Sequence, residues 1–153
     1  MKLRHAVRAL VFDPADRILL ELREALDEGD AIWATPGGGI EAGESHEEAL
    51  RRELVEEVGL DTFELGSAVW RREHLFAMLG GFDGQREHFY VVRVPVFEPA
   101  GTPDPDVTKR RWWALAELAS STERFAPRRL PELVAALLRD PPDPEEKPVD
   151  VGV

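Results

Sequence analysis

Cysteine is absent from this chain, which excludes a disulfide framework, a thiolate metal site and a cysteine nucleophile. Long apolar runs are missing as well: none approaches the roughly 18 residues that cross a bilayer. The opening Met1-Lys2-Leu3-Arg4-His5 leads into neither an apolar segment of signal type nor a small-residue cleavage site. Membrane insertion and secretion are therefore not signalled, and the expected location is the cytoplasm. Basic excess is lacking too, with 19 Lys and Arg against 30 Asp and Glu, a net charge of −11. Such a chain has no broad positive footprint for DNA or extended RNA. No internal repeat is visible.

What is present suits one globular domain. The 153 residues are 43% hydrophobic and 32% charged, and a chain of this length buries about two-thirds of its unfolded surface. The negative charge is concentrated in two places. Between Gly38 and Leu60, seven glutamates face only Arg51 and Arg52, and residues 140–153 carry five acids against Lys147. The expected organisation is a single domain over residues 1–139, followed by a disordered acidic, proline-rich tail over 140–153.

Strand-like runs are expected at Leu3–Phe12 and Ile18–Arg23, flanking the turn sequence Asp13-Pro14-Ala15-Asp16. Residues 24–32 read as a connecting loop. Trp33 to Gly43 forms a glycine-rich stretch, in which three consecutive glycines exclude a stable helix and let backbone approach a ligand closely. The strongest helix follows over His46–Val58. Ser45 and Glu48 make a capping box, Gly59 stands at the C-terminal cap position, and Leu50, Leu54 and Val58 form the buried stripe. Further strands are expected near 65–76, 87–97 and 111–115. The segment 99–106 reads as a loop, and 131–139 as a helix with Leu133, Leu137 and Leu138 on its apolar side.

On the long helix, Glu53, Glu56 and Glu57 fall within an arc of roughly 100°. Crowded carboxylates repel one another, an arrangement a hard divalent cation with a preference for oxygen ligands neutralises. A solvated acidic face is the plain alternative. The glycine loop leading into the helix favours the cation, because its free backbone groups stand beside the carboxylates as a place for diphosphate oxygens.

Gly38, five residues, Glu44, seven residues, and then Arg52-Glu53-Leu54-Val55-Glu56-Glu57-Val58-Gly59-Leu60 resembles, without a departure, the signature of the Nudix (MutT-like) hydrolases. The match spans residues 38–60. Trp33-Ala34-Thr35-Pro36-Gly37-Gly38-Gly39 before it, and Arg111-Trp112-Trp113 with Glu117-Leu118 after it, are similar to flanking elements of that family. The resemblance implies an α/β fold, an α/β/α sandwich around a mixed β-sheet. It implies metal-dependent hydrolysis of a diphosphate linkage in a nucleoside diphosphate derivative, by water attack at phosphorus. Glu53, Glu56, Glu57 and the Gly38 carbonyl would hold Mg²⁺ or Mn²⁺. Arg52 would orient Glu53, Glu44 would brace the loop, and Glu53 or Glu57 would take the proton. A homodimer is expected by analogy with the family. A non-catalytic nucleotide-sensing module is the alternative reading.

Outside the signature, Glu87 and Asp106 are secondary candidates for metal or catalytic water, Glu87 against a plain role in surface pairing with Arg86 or Arg72. Arg23, Arg71 and Arg72 are candidates for phosphate contact. Trp33 stands either as a stacking residue or as packing, and the backbone of Gly37 and Gly39 as substrate contacts. Trp112 and Trp113, adjacent on a strand, should face opposite sides and act structurally. His46 is expected to be solvated, and His74 and His88 to be possible cross-strand neighbours. The expected partner is a small nucleotide-like substrate, with specificity in the loops at 24–32, 78–86 and 99–110.

Overall fold

The computed structural model describes residues 1–24, 31–76 and 80–153. Its elements run β1 (Leu3–Phe12), β2 (Ile18–Glu24), β3 (Ala31–Ala34), β4 (Gly37–Gly39), α1 (His46–Val58), β5 (Glu64–Leu75), β6 (Gly84–Arg93), β7 (Val107–Trp113), α2 (Leu115–Ser120), β8 (Phe125–Ala126), α3 (Leu130–Arg139) and β9 (Val149–Asp150). Of the loops expected at 24–32 and 78–86, residues 25–30 and 78–79 lie outside the described residues.

The strands form one mixed sheet in the order β8-β3-β2-β1-β6-β5-β9, with β4 added to β1 and β7 to β2. β1 and β6 are parallel over their whole length, and β5 returns antiparallel to β6. At the end of β1, Phe12 pairs with Ile18 of β2. Earlier in β1, Ala6, Val7 and Arg8 pair instead with the glycines of β4. The sheet therefore parts between β1 and β2, and the glycine strand fills part of the opening.

Strand alternation sorts the side chains to two faces. Val7, Ala9, Val11 and Leu19 pack with Ala49, Leu50, Leu54 and Val58 of α1. Leu10, Phe12, Ile18 and Leu20 pack on the opposite face with Leu118 of α2 and Leu130, Val134 and Leu137 of α3. The result is the α/β/α sandwich. Trp113 is buried in the second cluster and Trp112 packs against the first, so the two tryptophans do face opposite sides.

Several sequence expectations shift at this level. The glycine stretch yields two short strands, because β3 borrows β2 and β4 borrows β1 for hydrogen bonding. The tail is not disordered throughout: β9 pairs in parallel with Trp70 and Arg71 of β5, and Val151 is buried in the core. The free edge of β5 supplies the ladder that a proline- and acid-rich composition does not foretell. On α3 the buried side chains are Leu130, Val134 and Leu137, with Leu133 and Leu138 packed at the margin.

Candidate active site

Helix α1 begins as its sequence dictates. Ser45 Oγ accepts from the Glu48 N–H at 3.1 Å, and the Glu48 carboxylate accepts from the Ser45 N–H at 3.0 Å. The helix ends on left-handed Gly59 (φ 70°). Beyond it, the loop over residues 99–106 covers the last carbonyls: Ala100 N–H donates to Val58 and Thr102 N–H to Glu56, and Arg110 donates to the Glu57 carbonyl at 2.9 Å. This docking fixes Asp104 and Asp106 beside the helix flank that carries the glutamates.

Glu57 leaves that flank for the interior and is only 2% exposed. Its carboxylate accepts the Gly37 N–H at 2.8 Å and lies 3.4 Å from an Arg23 nitrogen. Gly37 is required there. Its φ is +144°, and a Cβ would fall inside contact distance of the Val7 carbonyl. Arg23 also meets Asp106 at 3.1 Å, Asp104 at 3.4 Å and Glu21 at 3.7 Å. Glu21 is fully buried, and neither of its oxygens has a hydrogen-bond partner. Burial first, and then the nearby Glu21 charge, push the Glu57 carboxyl up to about 8. Burial raises Glu21 as well.

Arg52 organises the other half. It holds Glu44 through two nitrogens at 2.7 and 2.9 Å, the Gly39 carbonyl at 3.0 Å and Glu53 at 3.0 Å. Glu44 in turn accepts the Glu41 N–H at 2.8 Å, so it braces the loop. Its bond to Arg52 pulls its carboxyl down to about 2. The Glu53 carboxylate lies where a Cβ on Gly38 would come within 2.5 Å of it, so the absent side chain of Gly38 makes the cradle. Burial raises the Glu53 carboxyl. Glu56 is the outermost of the three, 59% exposed and 3.5 Å from Arg52.

Among the described residues, no three His, Cys, Asp or Glu side chains gather about one point as a ready metal cluster. Glu57 is turned to Gly37 and Arg23, and Glu53 to Arg52. The donors nevertheless suit a hard divalent cation, because three carboxylates and a backbone carbonyl are all oxygen ligands. The Gly38 cradle keeps the space against Glu53 free of side-chain atoms.

A cavity of about 290 Å³ joins this centre at Arg23 and Asp106. Arg8, Arg72 and Glu87 form its floor, with His74, Phe76 and Ile32 on its walls. Here the structure corrects the reading of Glu87. The residue is neither at the surface nor paired with Arg86, which meets Glu73 instead. It is 3% exposed, and its two oxygens take Arg8 at 2.6 Å and Arg72 at 2.9 Å. Both of its oxygens thus meet guanidinium groups. Asp106 reaches the centre only through Arg23. Arg71 lies away from the cavity, 3.8 Å from Asp150.

Of the two readings of Trp33 the structure favours packing, since it is buried in edge-to-face contact with Trp113. His46 is half-buried and bonded to the Tyr90 hydroxyl at 2.8 Å. His88 neighbours His46, while His74 pairs in register with Gln85. The sequence reading missed Arg8 and Glu21. Their signal was there, a lone charge inside each of the apolar runs Ala6-Val7-Arg8-Ala9-Leu10 and Leu19-Leu20-Glu21-Leu22.

Comparison with known proteins identifies the family. The family model described as NUDIX domain matches residues 2–135. The chain is 31% identical over 125 residues to an RNA pyrophosphohydrolase of Rhizobium meliloti (strain 1021), covering 72% of this chain and 75% of the relative. It is 34% identical over 149 residues to an RNA pyrophosphohydrolase of Pectobacterium atrosepticum, covering 78% and 83%. Among solved structures, one from a study of MutT from Aliivibrio salmonicida and Vibrio cholerae superposes with a TM-score of 0.65 at 29% identity. It covers 88% of this chain and 98% of that one.

Proposed function

The chain belongs to the Nudix hydrolase family as a Nudix pyrophosphohydrolase, and from that premise we propose that it uses Mg²⁺ or Mn²⁺ to hydrolyse a diphosphate linkage in a small nucleoside diphosphate derivative. The observation that carries the reading is the junction of two sites at Arg23. This arginine touches Glu57 of the carboxylate flank and lines the cavity that would receive the substrate. At about 290 Å³, the cavity lies near the lower end of small-molecule sites, which suits one nucleoside-sized moiety.

In this reading Glu53, Glu56, Glu57 and the Gly38 carbonyl hold the cation. When bound, the cation neutralises charge on the diphosphate oxygens and lowers the pKa of water. Arg52 steers Glu53, which would take the proton from the attacking water. Arg23 offsets the charge of Glu57 and Glu21 and faces the phosphates. Glu57, whose carboxyl burial raises to about 8, would release its proton more readily with a cation bound.

A second reading comes from the relatives' name, RNA pyrophosphohydrolase, and makes the 5′ end of an RNA the substrate. The net charge of −11 weighs against an extended RNA track. The deciding experiment is a phosphate- and pyrophosphate-release assay with Mg²⁺, Mn²⁺ or chelator. Its panel holds nucleoside triphosphates, nucleoside diphosphate sugars, ADP-ribose, dinucleoside polyphosphates and a 5′-triphosphorylated oligoribonucleotide. Cation-dependent cleavage of a small nucleotide is expected. Cleavage of the oligoribonucleotide alone selects the second reading, and binding without turnover across the panel removes the hydrolytic one.

A further inference from the structure

We propose that Arg8 and Arg72, held on the buried carboxylate of Glu87, form a phosphate subsite on the cavity floor that binds a phosphate of the substrate next to the scissile linkage. This rests on the diphosphate reading above and adds where the polyphosphate chain lies.

Three strands bring the triad together. Glu87 of β6 is in register with Arg72 of β5 on one side and with Ala6 of parallel β1 on the other. Two residues along β1, Arg8 projects to the same face of the sheet. Arg8 Nε donates to one oxygen of Glu87 at 2.6 Å and Arg72 Nη1 to the other at 2.9 Å. The side chains of Glu87, Arg72 and Arg8 are 3%, 11% and 16% exposed.

A buried ion pair built only for structure would be neutral, since uncompensated buried charge is costly. Here two guanidinium groups share one carboxylate, and neither has a second carboxylate partner among the described residues. Among the described residues, the remaining hydrogen bonds of Arg8 go to the carbonyls of Thr35 and Gly37 at 3.5 and 3.4 Å, and that of Arg72 to His74 at 3.4 Å. Arg72 Nε has no acceptor at all. At Glu87 itself two guanidinium groups meet one carboxylate beside the cavity, so an anion entering there is matched by the second of them. Two guanidinium forks fixed from behind match the several oxygens of a phosphate.

The position relative to the carboxylates follows from one residue. The Gly37 carbonyl accepts from Arg8, while the Gly37 N–H donates to Glu57. Arg8 and Glu57 thus bind opposite ends of the same residue, which puts a phosphate on Arg8 beside the carboxylate flank. Glu87 is a positioning residue in this arrangement, acting only through the arginines.

The test is calorimetric titration of the full chain with inorganic pyrophosphate in chelator, which removes the cation's own contribution to phosphate binding. Arg8→Met and Arg72→Met should each weaken binding about tenfold or more, the loss of charge-assisted bonds. The surface variant Arg86→Met should match the wild type. Arg72→Lys, which keeps the charge and loses the fork, should fall between. It also serves if thermal melts show the methionine variants unfolded. Glu87→Gln should change affinity in the wild type and not in the Arg8→Met/Arg72→Met background, an outcome that a purely structural Glu87 does not give. On a turned-over substrate, KM should rise in the arginine variants with kcat nearly preserved. Folded arginine variants with wild-type pyrophosphate affinity, or a wild type that does not bind pyrophosphate, overturn the subsite. Failure of turnover across the nucleotide panel, with the subsite intact, overturns only the hydrolytic reading.

Discussion

Glu57 illustrates how one residue couples stability to chemistry. Its carboxyl is raised to about 8 by burial and by Glu21, so the folded chain keeps a proton that the unfolded chain has already released. Stability of the cation-free protein should therefore fall as pH rises from about 4.5 to about 8, by at most about 1.4 kcal/mol per pH unit for this group. Glu21 and Glu53 are raised as well and act in the same direction. Denaturant melts in chelator at several pH values should show the decline, and Glu57→Gln should flatten it. The same substitution should lower cation-dependent turnover by about 100-fold or more while leaving a cooperative melt. His46, His74 and His88, held below the ordinary imidazole range by burial, act the other way up to about 6.5, so the same pH dependence in wild type and Glu57→Gln is what contradicts the assignment.

Adjacent glycines separate packing from chemistry. At Gly37 an added methyl meets the Val7 and Arg8 backbone under a positive φ, whereas at Gly38 its nearest neighbour is the movable end of Glu53. Gly37→Ala should destabilise the fold by about 2 kcal/mol or more. Gly38→Ala should melt near the wild type and lose activity through a displaced Glu53. Equal melting temperatures for the two variants would refute this division.

At the scale of elements, the site depends on contacts remote in sequence. β4 exists because β1 offers it a partner, and β9 because β5 has a free edge. Val151, just after β9, is 8% exposed in the cluster that holds Trp70 and Phe89. Its backbone N–H donates to Arg71, on the strand that carries Arg72. Deleting residues 149–153 should cost about 2 kcal/mol in a urea melt, the order of one buried valine with its backbone bond. An unchanged midpoint would show β9 to be an ornament of the edge.

For the whole molecule, charge is segregated. The exterior carries most of a net −11, and among the described residues no helix is long and apolar enough to cross a membrane. The cavity, by contrast, sets Arg8 and Arg72 on the one carboxylate of Glu87. A small arginine cluster within a negative surface suits a short anion better than a long one. If triphosphorylated RNA is cleaved at all, kcat/KM should not increase with chain length beyond the first few nucleotides. A steady rise with length, lost at higher salt, would reveal a basic track that this charge distribution does not provide.

The sequence by itself determined the local features. β1 and α1 run as read, because alternation, the capping box and Gly59 are short-range signals. The Gly38-to-Leu60 pattern likewise carries the family, and with it the sandwich. The outer residues of β6 and β7, which begin before the expected boundaries, escaped because their strand state comes from partners across the sheet. Only the tertiary structure decided that Glu87 anchors two arginines, that Trp33 is buried against Trp113, that Glu21 lies beside Arg23 near Glu57, and that part of the tail becomes a strand. Each of these depends on which distant chain segment supplies the opposite charge, the apolar neighbour or the free backbone edge, and residue spacing alone does not encode that choice.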